Sequence, residues 1–262
     1  MRQFIVGKAA TPRRIRAIVG GKTGSGKTHF AATWPKPLFL ADATEGGAAT
    51  LEGMAKSSAK EFFWDKNSPP EVWEIENMME MPRLVTDLLD RKGNFPWQTI
   101  VVDSLSIYAQ RVLRELYAAD SKQDNRQRYG QLSDGLSSLV SRVHALPAHI
   151  VWLCHVDDDQ QLTVPGKASA ALWAYMSYKW MTYVSTSTQP NVPAEYQLHI
   201  RPWLRADWLG GRSYINAPSP MIPSFKPMAE LLGLPDRPVS PACPSFAGVA
   251  YPNGASYLQT AG

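Results

Sequence analysis

Residues Gly21 to Thr28 read G-K-T-G-S-G-K-T, and this octapeptide constrains the fold more than any other part of the chain. It fits the pattern G-x-x-x-x-G-K-[S/T] at every position. The apolar run Arg14–Val19 precedes it and a helical pattern from Lys27 to Trp34 follows it, which is the strand–loop–helix context that the pattern requires. Such a loop wraps phosphate groups with backbone N–H groups at the positive end of a helix. The sequence therefore predicts a nucleotide site in an α/β fold.

Within this loop the side chains have separate expected roles. Lys27 is expected to reach the β- and γ-phosphate oxygens of ATP, and the Thr28 hydroxyl is expected to hold Mg²⁺. The alternative is a glycine-rich turn with an incidental lysine. The predicted nucleotide-binding residues are Gly21, Thr23, Gly24, Ser25, Gly26, Lys27, Thr28 and His29.

Further along the chain, apolar strand patterns alternate with helical patterns. Strands are predicted at 38–41, 97–103 and 149–155, and helices at 84–89, 105–116 and 132–146. The stretch from residue 48 to residue 76 is predicted to be irregular, with a short strand as one option at 62–64. Alternation of this kind predicts a mainly parallel sheet flanked by helices. Late segments within 173–216 are expected to add antiparallel strands.

Length and composition indicate one large domain with two appendages. The chain has 262 residues, of which 44% are hydrophobic, enough for one large core. We expect a basic N-terminal arm at 1–13, a core at 14–234 and a tail rich in Pro, Gly and Ser at 235–262. No Asp or Glu occurs before residue 42, which indicates either a polyanionic partner or a solvated basic arm.

The sequence also predicts a soluble protein of the cytoplasm. Its two cysteines, Cys154 and Cys243, give neither a disulfide framework nor a metal-ligand spacing, as is usual in a reducing compartment. The N-terminus lacks the apolar stretch of a signal peptide. No apolar run approaches the roughly 20 residues that span a bilayer, so no membrane partner is expected.

Two acidic residues follow predicted strands and are candidates for the hydrolytic chemistry. Asp103 comes directly after Thr99-Ile-Val-Val and is placed to hold the metal, although an Asp there can also cap the next helix. Many AAA-type motors carry a Glu in the next position, but this chain has Ser104. The expected water-activating carboxylate is therefore Glu45 in ADATEGG, whose alternative role is a turn beside two glycines.

The order of these segments resembles the RecA-like ATPase core. The P-loop, FLADATEGG, IVVDSLS and IVWLCH occur in the family's order, and the resemblance covers roughly residues 15–214. More specifically, the chain looks like the short phage RecA-like proteins of the single-strand annealing type. RecA-like proteins usually carry Gln where this chain has His155. The resemblance implies that His155 senses the γ-phosphate, and the alternative is a surface histidine at a strand end.

The resemblance implies two DNA-facing loops. The first corresponds to the polar segment after the Asp103 helix, where basic, amide and aromatic side chains suit phosphate contact and base stacking. A solvated connection between helices is the alternative. The second corresponds to 156–169, where the acidic run at 157–159 departs from a DNA-binding loop. The DNA-binding candidates are Lys122, Asn125, Arg126, Arg128, Tyr129 and Lys167.

The resemblance further implies self-assembly into a filament or ring with ATP at the subunit interface. Arg205 and Arg212 match most closely the basic residues that a neighbouring subunit would supply, and they can equally be exposed strand arginines. The leading prediction is an ATP-binding, slowly hydrolysing protein that assembles on single-stranded DNA and promotes annealing or homologous recombination. A single-strand binding protein is a possible partner. The alternatives are a nucleotide-dependent scaffold and a small-molecule phosphotransferase.

Overall fold

One eight-stranded sheet organises the part of the chain that the computed structural model describes. That part comprises residues 14–91, 94–120, 122–165, 168, 172, 174–185, 195–200, 208–211 and 220–232. The strands are β1 (Arg16–Gly21), β2 (Pro37–Asp42), β3 (Glu71–Ile75), β4 (Thr99–Asp103), β5 (His149–His155), β6 (Tyr178–Ser185), β7 (Glu195–His199) and β8 (Gly210–Gly211). The helices are α1 (Lys27–Ala32), α2 (Gly47–Lys56), α3 (Met81–Asp90), α4 (Leu105–Ala119), α5 (Asn125–Val143) and α6 (Phe225–Leu232), with 3₁₀ turns at Ser58–Phe62 and Met78–Glu80.

The strand order places the ends of the strands that carry Gly21, Asp103 and His155 at one edge of the sheet. The order is β3-β2-β4-β5-β1-β6-β7, and β8 also pairs with β6. The six strands from β3 to β6 are mutually parallel, whereas β7 and β8 run antiparallel to β6. Gly21 is in register with His155, and Ala41 with Asp103. The carboxyl ends of β1, β2, β4 and β5 therefore meet at a single edge, where ligands bind in such sheets.

Apolar side chains cover both faces of this sheet. On one face, residues of the sheet such as Ile18 and Trp152 pack against α3, α4 and α5. On the other face, Val19 and Phe39 pack with Phe30 of α1 and Phe225 of α6. A strand buried on both faces reads as a continuous apolar run, which is why the central strands were predictable from the sequence. The predicted α/β fold class, a mainly parallel sheet flanked by helices with late antiparallel strands, is confirmed.

The region between residues 47 and 75 differs from the prediction. It contains α2 and the edge strand β3, and residues 62–64 form no strand. Only Leu51 and Met54 of α2 are buried, so its apolar face is too narrow to give a clear period. The charged residues of β3 lie on a sheet edge, where one side of the strand faces solvent.

Two later elements also differ. Helix α5 begins at Asn125, seven residues before the predicted start, because Asp124 caps it by accepting a hydrogen bond from the Arg126 N–H at 2.8 Å. The first turns of α5 are polar because they extend beyond the core. Strand β6, expected to be antiparallel, pairs in parallel with β1 and antiparallel with β7 and β8.

Candidate active site

The loop between β1 and α1 has the backbone geometry of a phosphate-binding loop. Gly24 and Gly26 have φ angles of 79° and 89°, a region that favours glycine, and Gly26 is the N-cap of α1. The buried Ser25 hydroxyl shares a 2.9 Å hydrogen bond with Thr182 of β6, which anchors the loop to the sheet. A Cβ atom at Gly21 would lie 2.9 Å from the Thr182 carbonyl oxygen, so this position also requires glycine.

The side chain of Lys27, the first residue of α1, folds back onto this loop. Its ammonium donates hydrogen bonds to the carbonyl oxygens of Gly21 at 2.8 Å and Lys22 at 3.0 Å. Burial lowers the pKa of Lys27, against the opposing effect of the Asp103 carboxylate. A desolvated ammonium with neutral carbonyl partners gains strongly from a phosphate, which makes Lys27 suited to the β- and γ-phosphates of a nucleotide.

Thr28 and Asp103 lie side by side, as a magnesium site requires. The Thr28 hydroxyl donates to Asp103 Oδ2 at 3.0 Å across the gap between α1 and β4. Burial raises the pKa of Asp103 to about 6, although the hydrogen bond from Thr28 opposes this effect. Mg²⁺ is usually held by one or two protein oxygens together with phosphates and waters, so these two residues fit Mg²⁺ and would hold it there. The bound ion would neutralise charge on the phosphates.

Glu45 and His155 form a pair at the same edge. His155 Nε2 lies 2.8 Å from Glu45 Oε1, and because a carboxylate only accepts, the imidazole donates from Nε2. Burial raises the pKa of Glu45, but the hydrogen bond from His155 lowers it, and the net pKa is below the usual value. The second carboxylate oxygen, Oε2, is buried and accepts no hydrogen bond within the described part of the chain. Glu45 therefore combines an ionised carboxylate with an unused acceptor oxygen, and a general base needs both.

An apolar cavity adjoins the loop. Its volume is about 600 Å³, and its apolar wall comprises Phe62, Tyr196, Ile222 and Pro223. The Tyr196 ring covers the loop, since a Cβ atom at Gly26 would lie 3.0 Å from its Cδ1. His29, Thr50 and Ser224 supply polar groups on the wall, and the His29 ring lies 5.6 Å from that of Phe62. Aromatic rings beside a phosphate loop suit the base of a nucleotide.

Sequence reasoning missed this cavity. Tyr196 and Ile222 are far from the loop in the chain, and neither belongs to a motif. Their exposed fractions are large, 49% for Tyr196 and 69% for Ile222. These exposed side chains form a cavity wall only because β7 and the segment before α6 lie beside α1 in the folded chain. His29 and Thr23 were both predicted to bind the nucleotide. His29 lines the cavity rather than the phosphate loop itself, and Thr23 is exposed on the loop.

The segment after His155 is tied to the site through Ser106, which the sequence did not single out. The Ser106 hydroxyl accepts hydrogen bonds from the His155 N–H at 2.9 Å and from the Thr163 hydroxyl at 3.0 Å. Thr163 also donates its N–H to the His155 carbonyl oxygen at 2.9 Å. Val156 and Leu162 form an antiparallel bridge, so residues 156–162 are a tight hairpin that starts directly after His155.

The predicted DNA-binding residues near 122–129 do not all face solvent. Lys122, Asn125, Arg126 and Tyr129 are exposed. Arg128 is only 3% exposed, donates to Asn125 Oδ1 at 2.9 Å and to the Asp120 carbonyl oxygen, and lies with its guanidinium 4.2 Å from the centre of the Tyr117 ring. Arg128 therefore joins α4 to α5 in this structure, and this placement differs from the exposed DNA contact that was expected of it.

Several other predicted residues lie outside the described residues. These are Lys167, Arg205 and Arg212, together with the expected N-terminal arm and C-terminal tail. Within the part of the chain that the structure describes, no helix is both long enough and apolar enough to cross a membrane.

The strand order, the loop geometry and the acidic edge together define a P-loop ATPase domain. The family model described as "AAA domain" matches residues 13–191 of this chain, and the chain belongs to that family. No curated protein matches the sequence. Among solved structures, the chain is similar to a prototypical ATPase from the type III secretion system of pathogenic bacteria, with 14% identity and a TM-score of 0.44. That match covers 63% of this chain and 50% of the other, so the chain spans half the length of that ATPase.

Proposed function

We propose that this protein binds ATP with Mg²⁺ and hydrolyses it slowly, with Glu45 activating the attacking water. The observation that carries the proposal is the state of the Glu45 carboxylate. One oxygen is fixed by His155 at 2.8 Å, and the other is buried without a partner in the described structure. Lys27, Thr28 and Asp103 lie at the same edge, where the phosphates and Mg²⁺ would bind.

The roles divide among the residues as follows. Lys27 and the loop N–H groups bind and orient the β- and γ-phosphates, and the apolar cavity binds the base. Asp103 and Thr28 would hold Mg²⁺ beside the phosphates. Glu45 accepts a proton from the attacking water, and His155 keeps the carboxylate in place and responds to the γ-phosphate as a hydrogen-bond donor.

ATP turnover by purified variants tests this proposal. Glu45→Gln keeps the size and polarity of the side chain but removes the base, so turnover falls by about 10²- to 10⁴-fold while ATP binding persists. Lys27→Ala loses both binding and turnover. Glu52→Gln on the exposed face of α2 is the matched control and leaves both unchanged. Turnover by Glu45→Gln at the wild-type rate would contradict the assignment.

We further propose single-stranded DNA as the partner and annealing or recombination as the role, in a protein of phage origin that assembles with copies of itself. The support is the connection between α4 and α5, where the side chains of Lys122, Arg126 and Tyr129 are all exposed. Basic groups beside aromatic rings suit a single strand, because phosphates pair with the cations and bases stack on the rings.

Fluorescence anisotropy of labelled single-stranded and duplex oligonucleotides, with and without a slowly hydrolysed ATP analogue at two salt concentrations, tests the partner. Binding that prefers single strands, strengthens with the analogue and weakens with salt supports the proposal. No DNA binding in any condition contradicts it. Analogue binding without DNA binding then favours a nucleotide-dependent scaffold, and phosphate transfer to a small acceptor favours a phosphotransferase.

A further inference from the structure

The turn that carries Glu45 is organised by a buried carboxylate that sequence reasoning did not single out. Asp42 is the last residue of β2, and its side chain is 0% exposed. Its Oδ1 accepts hydrogen bonds from the Thr44 N–H at 2.8 Å and the Thr44 hydroxyl at 2.5 Å. The Asp42 carbonyl oxygen accepts from the Glu45 N–H at 3.0 Å. Both the side chain and the backbone of Asp42 therefore set the path of the chain into Glu45.

The charge of this buried carboxylate is balanced by a residue from a different element. Nη2 of Arg111, in α4, lies 3.0 Å from both Asp42 carboxylate oxygens and donates to the Thr44 hydroxyl at 3.1 Å. Helix α4 starts two residues after Asp103. Arg111 therefore connects α4, the helix that follows Asp103, to the turn that carries Glu45.

The same turn packs tightly against Asp103. A Cβ atom at Gly47 would lie 2.9 Å from Asp103 Oδ2, so a small shift of this turn changes the separation between Glu45 and the metal side of the site. Glu45 is additionally held by its side-chain hydrogen bond to His155. On the other side of the turn, Nη2 of Arg111 holds the Asp42 carboxylate and the Thr44 hydroxyl together.

We propose that Asp42 and Arg111 are positioning residues for Glu45, and that their ion pair holds the carboxylate in line with the attacking water. This inference rests on the proposed role of Glu45 in hydrolysis. Asp42 and Arg111 hydrogen-bond to each other and to Thr44 rather than to Lys27, Thr28 or Asp103, so we expect their loss to change turnover rather than nucleotide binding. A misplacement of about 1 Å in a catalytic group can cost on the order of 10²-fold in rate.

The kinetic test uses Arg111→Met, Arg111→Lys and Asp42→Asn. For Arg111→Met and Asp42→Asn we expect kcat to fall about 10- to 100-fold with little change in the dissociation constant of ATP. Arg111→Lys retains a charge that can pair with Asp42, so its loss is smaller. Arg114→Met, on an exposed position of the same helix, is the matched control and keeps wild-type turnover.

A second readout reports the position of Glu45 without any turnover. The ¹⁵N chemical shifts of the His155 imidazole depend on its hydrogen bond to Glu45, and Glu45→Ala gives the shifts of the released ring. Displacement of Glu45 in Asp42→Asn or Arg111→Met moves the His155 signals toward those of Glu45→Ala. His155 signals that stay at their wild-type positions in folded variants would overturn the proposal.

The two readouts separate this inference from the proposed function. If the wild-type protein fails to hydrolyse ATP, the function is wrong, and the His155 shifts still decide whether Asp42 and Arg111 position Glu45. If Arg111→Met does not fold, as judged by circular dichroism, the milder Arg111→Lys and Asp42→Asn decide. A loss of thermal stability with unchanged kcat and unchanged His155 shifts would assign the pair a purely structural role and overturn the inference.

Discussion

Lys22 of the phosphate loop forms an ion pair with Asp158 at the tip of the hairpin that follows His155, with Nζ and Oδ1 2.5 Å apart. The pair raises the pKa of Lys22 and lowers that of Asp158, in both cases chiefly through the hydrogen bond. The acidic hairpin, whose role the sequence left open, thus contacts the loop expected to bind phosphates. The backbone of this hairpin is also held by the indole N–H of Trp208, which donates to the Gln160 carbonyl oxygen at 2.7 Å.

We predict that Asp158→Asn strengthens ATP binding several-fold at low salt. Removal of the carboxylate frees the Lys22 ammonium for phosphate oxygens and removes a negative charge near the loop. Because both side chains are exposed, at 57% and 99%, thermal stability stays unchanged and the gain in affinity fades as salt increases. Titration with a fluorescent ATP analogue at two salt concentrations measures the effect, and Asp159→Asn is the neighbouring control. Equal affinities of the Asp158→Asn variant and the wild type at low salt would contradict the prediction.

Asp103 gives the nucleotide-free protein a distinctive pH dependence. Its pKa is raised from 3.8 to about 6 by burial, so between these values the folded state binds more protons than the unfolded state, and stability falls as pH rises. At pH 7.5 the ionised, buried carboxylate costs about 3 kcal/mol, from 1.36 kcal/mol per pKa unit. We therefore expect Asp103→Asn to stabilise the nucleotide-free protein at neutral pH and to flatten its stability between pH 4 and 6.

Chemical denaturation of wild type and Asp103→Asn across this pH range measures the difference. Asp90→Asn, at the exposed end of α3, is a suitable control. The same titration has a functional consequence, because Mg²⁺ requires the ionised carboxylate. Binding of Mg²⁺ with ATP should weaken as pH falls below about 6 in the wild type. Identical pH profiles of stability for wild type and Asp103→Asn would refute the assignment.

His155 is expected to act as a hydrogen-bond donor to Glu45. His155→Gln keeps an N–H donor that can reach Glu45 Oε1, so it should retain a substantial part of wild-type turnover, whereas His155→Ala should lose about 10-fold or more. Steady-state ATP turnover with measured nucleotide affinity separates the two variants. Equal activity of the Gln and Ala variants would show that donation from residue 155 is unimportant.

The apolar cavity predicts that Tyr196 contributes to nucleotide affinity. Stacking of a base on an aromatic ring is worth about 1–3 kcal/mol, so Tyr196→Ala should weaken ATP binding by about 5- to 150-fold. Tyr196→Phe should bind nearly as well as the wild type, because the ring face is kept. Tyr183→Ala on the adjacent strand β6 is the control. Calorimetric titration with an ATP analogue measures all three, and wild-type affinity in Tyr196→Ala would place the base elsewhere.

Arg126 and Arg128 should respond differently to truncation although they are two residues apart. Arg126 is exposed, so Arg126→Ala should reduce the affinity for single-stranded DNA. The slope of log K against log salt concentration should become shallower by about 0.7, because one phosphate contact is lost. Arg128 is buried and bonded to Asn125 and Asp120, so Arg128→Ala should destabilise the fold by about 1–3 kcal/mol. Anisotropy and thermal melts on both variants make the comparison, and the reverse pattern would contradict it.

Part of the site was predictable from sequence because it depends on local order along the chain. The phosphate loop, the strand ending at Asp103 and the turn with Glu45 each occupy a few consecutive residues with a recognisable pattern. Parallel strands with right-handed crossovers bring their carboxyl ends together, so a shared edge followed from the pattern alone. Thr28 and Asp103, 75 positions apart, are accordingly in contact.

Other features depended on which distant segments pack together, and here sequence reasoning failed or said nothing. The ion pair between Asp42 and Arg111 could not be predicted, because Arg111 lies 69 residues further along the chain in a helix that carries no motif. The burial of Arg128 followed from the cap at Asp124, which extends α5 into the polar segment. The contact between Lys22 and Asp158 bridges 136 residues and joins two exposed charges, for which composition gives no preference.

The amino-acid sequence by itself determined that this chain is a P-loop protein with a mainly parallel sheet and an acidic edge. It could do so because glycine geometry and apolar periodicity are local properties of the chain. Only the tertiary structure decided which groups surround that edge: the histidine that holds Glu45, the ion pair beneath its turn and the aromatic wall beside the loop. These contacts arise from long-range packing, whose energy depends on shapes and charges that become neighbours only after the chain has folded.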